Sequence, residues 1–400
     1  MAASTYSTPG VYVEIQPTTP PVLPLGTSTA AFIGAVDISD ADLPPHPDPT
    51  KKFVAALEFE LVPLTNFGQF PTKFGTVGAK NSLLAHAVFG FFQNGGSFCY
   101  VLRTKGVPDA AALVRIDVIL GAKDDISIVA APGILDETVQ TALITHCGRM
   151  MYRIAVLDGI AKLADETKVP LPGDVTKLVP KKENNFGTVY FPWIKVANLK
   201  DKPAEAEKII LVPPSGHVAG IMARVDTQSG VHYPPANEGV FGAQALAYEL
   251  GNAEQGKLND AGVNVIRNFR GNIKVWGART LADPAGDTAQ FKYVNVQRTM
   301  SMIGHSIDVA SQFAVFKPNN QKLWAQIKRA LTGFLTNLWR DGALFGTQPE
   351  NAFFIKVDES NNPPEVRELG RVIIEVGVAI VLPAEFVIFR IQQFTQITKP

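Results

Sequence analysis

The chain has 400 residues and a mass of 43.2 kDa, and its 37 Lys and Arg residues balance its 37 Asp and Glu residues. Because 46% of the residues are apolar and only 18% are charged, the composition excludes an intrinsically disordered chain, and the zero net charge excludes a global basic field for nucleic acid or an anionic membrane. A surface with few charges favours association, so the composition fits an enzyme with a large core or a subunit that its neighbours cover.

The N-terminal residues predict one short strand on a stiff tether. The strand consists of Val11, Tyr12, Val13, Glu14 and Ile15. Its aliphatic residues alternate, and the Pro-rich residues 17–24 that follow are typical of an extended polyproline II segment. A lone strand has no local partner for its backbone groups, so it must pair either with a sheet of its own chain or with a sheet of another chain.

From residue 30 to residue 276, apolar runs of strand length alternate with segments of helical spacing. Strands are predicted at 30–36, 98–103, 126–130 and 154–157, which we expect to share one sheet, and then at 187–196, 263–266 and 273–276. Helices are predicted at 83–92, 137–150, 219–225, 243–250 and 254–260. This alternation is typical of parallel βαβ units, so the sequence predicts the α/β fold class.

The last third of the chain has a different pattern. The spacing of its apolar residues predicts a long helix over 293–314, a break at Pro318, and a second long helix whose apolar stripe runs from Leu323 to Leu338. Strands are predicted at 353–357, 371–381 and 386–391. The last strand contains Phe386, Val387, Ile388, Phe389 and Ile391. Because these residues are apolar on both faces, we expect another subunit to cover the strand, which would otherwise promote aggregation.

The sequence predicts no metal site and no cofactor, because its histidines and cysteines form no known ligand spacing and no complete phosphate-binding loop is present. Ser215, His217 and Asp226 can be assembled on paper into a hydrolase triad, but no Gly-x-Ser-x-Gly elbow surrounds the serine. An α/β hydrolase-like enzyme that uses Ser215 or Cys99 stays open, beside a self-assembling shell or tube subunit. Without a secretory signal or an apolar run of about 18 residues, we expect the chain to be made in a cytosol and to stay soluble.

Distinctive short motifs occur from residue 9 to about residue 394, with a gap over 160–186. They include Pro-Gly-Val-Tyr-Val-Glu at 9–14, Phe-Phe-Gln-Asn-Gly-Gly at 91–96, Val-Pro-Pro-Ser-Gly-His-Val-Ala-Gly at 212–220, Val-Trp-Gly-Ala-Arg-Thr-Leu at 275–281 and Pro-Ala-Glu-Phe at 383–386. Together they resemble the contractile tail sheath family, which forms the outer cylinder of myophage tails, R-type pyocins and phage-tail-like contractile injection systems. Gln297 departs mildly from the family, which usually has an Arg-Arg pair there.

The resemblance implies a mixed α/β and α+β architecture with four parts. We expect an N-terminal linker arm at 1–25, an outer α/β domain at 26–270, an inner conserved domain at 271–382 and a C-terminal arm at 383–400. The inner domain would combine two long helices with a small sheet that arms from neighbouring subunits complete. Loops 41–50 and 163–186 would lie on the outside of the cylinder.

The resemblance also implies a structural subunit and not an enzyme. Stacked hexameric rings would surround an inner tube, and rigid-body rotation of subunits would shorten the cylinder and drive the tube through a target envelope. Expected partners are further copies of the chain or its paralogues, the inner tube protein, baseplate proteins and terminator or cap proteins, with no nucleic acid and no direct membrane insertion. We expect assembly in the bacterial or host cytoplasm, into a phage tail or a phage-tail-like particle.

Two sets of residues are predicted to carry this assembly. The strands Val11–Ile15 and Phe386–Ile391 would pair with neighbouring subunits by strand addition. The polar stripe of the second long helix would contact the inner tube, unless it is a plain solvated face. The members of this stripe are Lys322, Gln326, Arg329 and Arg340.

Overall fold

The computed structural model describes residues 22–161, 173 and 184–386. The predicted strand Val11–Ile15 lies outside the described residues, as do 387–391 of the predicted C-terminal strand and most of the predicted loop 163–186.

Fourteen strands occur in the described part of the chain. In chain order they are β1 (Ala30–Ala35), β2 (Leu61–Leu64), β3 (Cys99–Thr104), β4 (Ile128–Ala130), β5 (Ile154–Asp158), β6 (Gly187–Phe191), β7 (Ile194–Ala197), β8 (Ile209–Val212), β9 (Glu238–Gly239), β10 (Ala243–Leu246), β11 (Val263–Phe269), β12 (Asn272–Val275), β13 (Phe353–Lys356) and β14 (Glu375–Val378).

Ten α-helices occur over the same residues. They are α1 (Phe70–Phe74), α2 (Ser82–Gln93), α3 (Ala110–Gly121), α4 (Glu137–Met150), α5 (Ser215–Gln228), α6 (Asn252–Asp260), α7 (Val294–Ser311), α8 (Gln321–Arg340), α9 (Pro349–Ala352) and α10 (Pro364–Glu368). None of the described helices has the length and hydropathy that are needed to cross a membrane.

A nine-stranded sheet in the order β2-β3-β1-β4-β5-β6-β11-β12-β9 forms the centre of the described structure. The six strands from β3 to β11 run parallel to one another, and β2, β12 and β9 extend the edges in antiparallel pairing. The strands predicted at 30–36, 98–103, 126–130 and 154–157 are neighbours in this sheet. The α/β prediction is therefore confirmed.

Helices cover both faces of the sheet. Along β1, Phe32 packs into the layer under α2 and α5, whereas Ile33 packs into the layer under α3, α4 and α6. Both side chains are almost completely buried. Strands with two covered faces need continuous apolar runs, which is why β1 is apolar along its whole length.

Helices α2 and α5 pack unusually closely, because glycines lie in the contact. A Cβ added to Gly216 would come within 2.3 Å of the backbone oxygen of Ala87, and one added to Gly220 would come within 2.4 Å of the backbone oxygen of Phe91. The motif at 212–220 is therefore part of a tight helix–helix contact.

A third core lies between α7, α8 and the hairpin of β13 and β14. The predicted apolar stripe of α8 is buried there, from Leu323 to Leu338. The side chain of Asn320 caps this helix by accepting a hydrogen bond from the backbone N–H of Leu323 at 3.1 Å. Val22, the first described residue, is also buried in this core.

One prediction in the middle of the chain is wrong, and a second is confirmed only with a division into two strands. Residues 243–250 do not form a helix, because Ala243–Leu246 instead form β10 and pair antiparallel with β7. Eight residues make a marginal helix alone, and pairing with the open edge of β7 satisfies more backbone groups. Residues 187–196 are two strands instead of one, since Pro192 lies between β6 in the large sheet and β7 in a separate sheet of β10, β7 and β8.

Candidate assembly site

The hairpin of β13 and β14 is a sheet of only two strands in the described part of the chain. Phe353 pairs with Val378 and Ile355 with Val376, and these four side chains pack against the third core. Apart from one isolated bridge between Leu344 and Ile380, the outer edges of both strands have no strand partner among the described residues. Two-stranded sheets are marginally stable alone, so these edges are suited to further strands.

The outer face of the hairpin carries an exposed aromatic ring beside the ion pair of Lys356 and Glu375. Phe354 is 60% exposed, and its ring lies over the opposite residue, where a Cβ added to Gly377 would come within 2.1 Å of the Phe354 Cε1 atom. The ring fills the space that the glycine leaves open on this face, an arrangement that fixes strand register. Phe345, near one end of the hairpin, is 73% exposed. The hairpin thus presents apolar surface and unpaired backbone together.

The C-terminal segment is fastened to the body of the chain at Glu385. Oε1 accepts hydrogen bonds from Nε of Arg279 and Nδ2 of Asn259, each at 2.8 Å. Oε2 accepts from Nη2 of Arg279 at 3.0 Å and from the hydroxyl of Tyr293 at 2.8 Å. Burial by itself raises the pKa of this carboxyl, but the hydrogen bonds from these three residues and the charge of Arg279 lower it to about 2. Glu385 is therefore ionised at neutral pH.

Phe386 is the one residue of the two predicted arm strands within the described ranges, and its side chain is 71% exposed. It directly follows the fastened Glu385. The remaining residues of both predicted arm strands lie outside the described residues.

The N-terminal segment is fastened by a second carboxylate–arginine pair. Arg298 on α7 donates from Nη1 to Oδ1 of Asp226 on α5 at 2.8 Å and from Nη2 to the backbone oxygen of Thr27 at 2.9 Å. The Thr27 hydroxyl donates to Oδ2 of Asp226 at 2.6 Å, and the backbone N–H of Leu25 donates to the Ser306 hydroxyl at 3.0 Å. Both charged side chains are at least 95% buried, with 4% and 5% of their surface exposed. Removing one member would leave an unpaired buried charge, which is strongly destabilising.

The polar stripe of α8 faces solvent. Lys322, Arg329 and Arg340 are exposed, and Gln326 is half-buried. In the described part of the chain, the charged groups of Lys322, Arg329 and Arg340 have no carboxylate oxygen within 4.0 Å. The stripe can therefore accept acidic groups from another protein.

The hydrolase triad that can be assembled on paper is not assembled in the structure. The Ser215 hydroxyl donates to Oδ2 of Asp158 at 2.8 Å, and the ring of His217 lies against Gly90. Asp226 forms an ion pair with Arg298.

The second candidate nucleophile, Cys99, is not activated. Burial in an apolar layer raises the pKa of its thiol well above the ordinary value, which leaves the thiol protonated. Among the described residues no group of His, Cys, Asp and Glu side chains is arranged to hold a metal ion.

Asp158 has a structural role at the start of α5. Its carboxylate accepts hydrogen bonds from the backbone N–H and the hydroxyl of Ser215, both at 2.8 Å, and from the backbone N–H of Gly133 at 3.1 Å. Complete burial nevertheless raises its pKa to about 6, because these donors only partly offset the desolvation of the charge. The carboxylate ties the end of β5 to the first residue of α5.

No local sequence pattern indicates either fastening pair. Glu385 and Arg279 are 106 residues apart, and Asp226 and Arg298 are 72 residues apart. Glu385 is a single charge within an apolar segment, which indicates that it needs a partner. The local pattern does not identify that partner as Arg279.

Two family models match the chain, namely the phage tail sheath protein central domain over residues 110–281 and the phage tail sheath C-terminal domain over residues 287–394. The tail sheath protein of Burkholderia phage BcepMu is 30% identical over 215 residues, which cover 52% of this chain and 42% of the phage protein. The chain spans less than two thirds of the length of the curated relatives that it matches.

Solved structures are similar over nearly the whole chain. The sheath complex of PVC, an extracellular contractile injection system in its contracted state, has a TM-score of 0.73 and 27% identity, with 99% of both chains covered. The contracted helical sheath of the anti-feeding prophage has a TM-score of 0.75 and 27% identity, with 98% of this chain and 100% of that chain covered. A chain in the baseplate structure of the same prophage has a TM-score of 0.73 and 26% identity, with the same coverage.

Proposed function

The chain belongs to the contractile tail sheath family, and on this basis we propose that it is a structural subunit of a contractile sheath and not an enzyme. It polymerises with copies of itself in a phage tail or a phage-tail-like particle. The sheath surrounds an inner tube as stacked hexameric rings, and contraction by rigid-body rotation of the subunits drives the tube forward.

The observation that carries this proposal is the open hairpin of β13 and β14. It offers two strand edges without partners in the described part of the chain, and it lies within the match to the sheath C-terminal domain. The segments Val11–Ile15 and Phe386–Ile391 of neighbouring subunits add strands to these edges. Pairing of this kind satisfies backbone groups on both sides and links one subunit to the next.

The positions at which the two arms leave the body support this role. Thr27 is held by the buried pair of Asp226 and Arg298, and Glu385 is held by Arg279, so each arm starts from a fixed point. Phe386 is exposed immediately beyond the second point, as an arm that reaches another subunit requires.

The inner tube contacts the exposed stripe of α8. Lys322, Arg329 and Arg340 face solvent and lack carboxylate partners among the described residues, so an acidic tube surface is the complementary partner. Each exposed ion pair contributes only about 0–1 kcal/mol, which suits a contact that has to break when the sheath contracts. Baseplate and terminator proteins complete the particle at its two ends, and the subunits assemble in the cytoplasm.

The division into an N-terminal arm, an outer domain at 26–270, an inner domain at 271–382 and a C-terminal arm is part of the proposal. The separate third core of α7, α8 and the hairpin supports it. The junction between the two family matches, at residues 281 to 287, falls close to the proposed boundary.

Electron microscopy of the purified protein tests the function directly. A contractile sheath subunit should form striated or cogwheel-ended cylinders that occur in a long and a short state. Cylinders of one fixed length would favour another shell or tube protein, and a dispersed population of globular particles at high concentration would overturn the proposal.

A further inference from the structure

We propose that Glu385, Arg279, Asn259 and Tyr293 form a latch that fixes the root of the C-terminal arm to its own subunit, so that the arm swings from Phe386 instead of from the end of β14. This inference rests on the proposed function for what the arm does, but the latch itself is a property of the single subunit.

The latch brings three separate elements together on one carboxylate. Asn259 lies in α6, Arg279 follows β12, and Tyr293 is the N-cap residue of α7. The four hydrogen bonds to Glu385 are 2.8 to 3.0 Å long, and the Nζ atom of Lys292 lies 3.6 Å from Oε2. The two nitrogens of Arg279 contact the two carboxylate oxygens in the bidentate arrangement that fixes orientation as well as distance.

Arg279 is also held in place by contacts that do not involve Glu385. The buried side chain of Asn264 accepts a hydrogen bond from the backbone N–H of Arg279 at 2.6 Å and donates to the backbone oxygen of Arg279 at 2.8 Å. Nη1 of Arg279 donates to the backbone oxygen of Asn259 at 2.8 Å. An arginine whose backbone and side chain are both fixed loses little conformational freedom when it binds a carboxylate. Arg279 is therefore preorganised to bind Glu385.

Among the described residues, the side chain of Glu385 makes all the hydrogen bonds that join residues 382–386 to the rest of the subunit. Within the described ranges, the last backbone hydrogen bond that joins the segment to the body is from the N–H of Val381 to the oxygen of Ala343. Beyond it, Leu382 is 62% exposed, and in the described part of the chain every hydrogen bond from 382–386 to the body runs through the Glu385 side chain. If the latch opens, none of these hydrogen bonds holds residues 382–386 to the body, and this stretch can extend.

Opening the latch would lengthen the arm by a distance that is large compared with the side-chain repeat of a strand. Four extended residues, Leu382 to Glu385, span about 13 Å. The pattern of side chains along a strand repeats about every 7 Å, so this slack would allow the arm to pair in more than one register. The latch therefore sets the span between the body of one subunit and the sheet that its arm enters.

The first experiment uses the soluble full-length subunit and asks whether Glu385 holds the arm root. Chymotrypsin needs several extended residues on both sides of the bond after Phe386, so a closed latch should protect that bond. We expect Glu385→Gln to accelerate release of the C-terminal peptide at least tenfold by mass spectrometry, and the control Glu368→Gln, at an exposed position in α10, to leave the rate unchanged. Equal rates in the wild-type protein and Glu385→Gln would overturn the latch whether or not the protein assembles.

The second experiment asks whether the latch sets the span of the arm. Two glycines inserted between Leu382 and Pro383 lie on the body side of the latch and should leave the number of long cylinders unchanged. The same two glycines inserted between Phe386 and Val387 lengthen the arm beyond the latch and should reduce long cylinders at least tenfold.

Equal effects of the two insertions would overturn the proposal, because an arm without a fixed root cannot distinguish the two positions. If the wild-type protein itself forms no cylinders, the proposed function fails, and the proteolysis experiment still decides the latch.

Discussion

The ring of His217 on α5 lies directly against Gly90 on α2, so closely that a Cβ added to Gly90 would be 2.3 Å from the His217 Cε1 atom. The ring is buried, and burial together with the charge of the nearby His86 lowers its pKa to about 3. His217 is thus a neutral core residue at neutral pH that fills the space beside a glycine.

We predict that Gly90→Ala destabilises the subunit by about 1–3 kcal/mol, because the buried ring cannot move away from the new methyl group. Denaturant unfolding of the purified subunit would measure the change. Gly256→Ala is the matched control, since Gly256 lies in α6 with no atom within 4 Å of an added Cβ. That substitution should be neutral or stabilise the helix by about 0.5–1 kcal/mol. Equal effects at the two glycines would contradict the packing described for α2 and α5.

The second prediction concerns the pH dependence that Asp158 confers. Its pKa in the folded protein is about 6, above the ordinary value of 3.8, so between these values the folded state holds a proton that the unfolded state has lost. The contribution of Asp158 to the free energy of unfolding should therefore fall as the pH rises from about 4 to about 6.

Asp158→Asn tests this sign. The substitution removes the titrating group and replaces one acceptor oxygen with a donor, so we expect a less stable protein at every pH and a loss of this part of the pH slope. Denaturant midpoints between pH 4 and pH 7, measured for both proteins, give the slope difference. A variant that keeps the wild-type slope would show that another group titrates over this range.

The third prediction concerns the N-terminal arm. Deleting residues 1–16 removes the predicted strand and leaves Val22 in the third core and Thr27 on Asp226. The truncated subunit should keep the circular dichroism spectrum and thermal midpoint of the full chain but form no long cylinders by electron microscopy. Unfolding of the truncated monomer would assign the strand to its own fold, and normal contractile cylinders would exclude the arm from assembly.

The fourth prediction concerns the tube-facing stripe of α8. Reversing the charges in Lys322→Glu with Arg329→Glu should give sheaths that lack the inner tube, because an acidic tube surface would then face acidic side chains. Lys52→Glu with Lys257→Glu is the charge-matched control at exposed positions elsewhere. The tube content of cylinders, measured from cross-sections in electron micrographs, should fall in the first double variant alone. Unchanged tube content would leave α8 without this role.

Sequence patterns predicted the elements that local forces determine. Residues 137–150 form α4 at the predicted bounds, since Asp136 caps the helix by accepting from the backbone N–H of Val139 and the apolar spacing is regular. The helix predicted at 243–250 is wrong because the partner strand β7 lies almost fifty residues earlier, and no local pattern contains it.

The candidate site was less accessible to prediction for the same physical reason. The charges and exposure of Lys322 and Arg329 follow from helical spacing on α8. The latch at Glu385 and the pair of Asp226 and Arg298 depend on contacts between residues that are far apart along the chain. The pairing of the arm strands themselves stays a prediction.

Both fastening points involve the first turns of α7. Tyr293, its N-cap residue, holds Glu385, and Arg298 holds Thr27, so the two anchors lie about 8 Å apart along the helix axis. Tension on one terminal segment therefore has a short path to the other through the first turns of α7, in parallel with the path that runs from Arg279 through Asn264 and the nine-stranded sheet. In a row of linked subunits α7 would carry part of the load between the two arms.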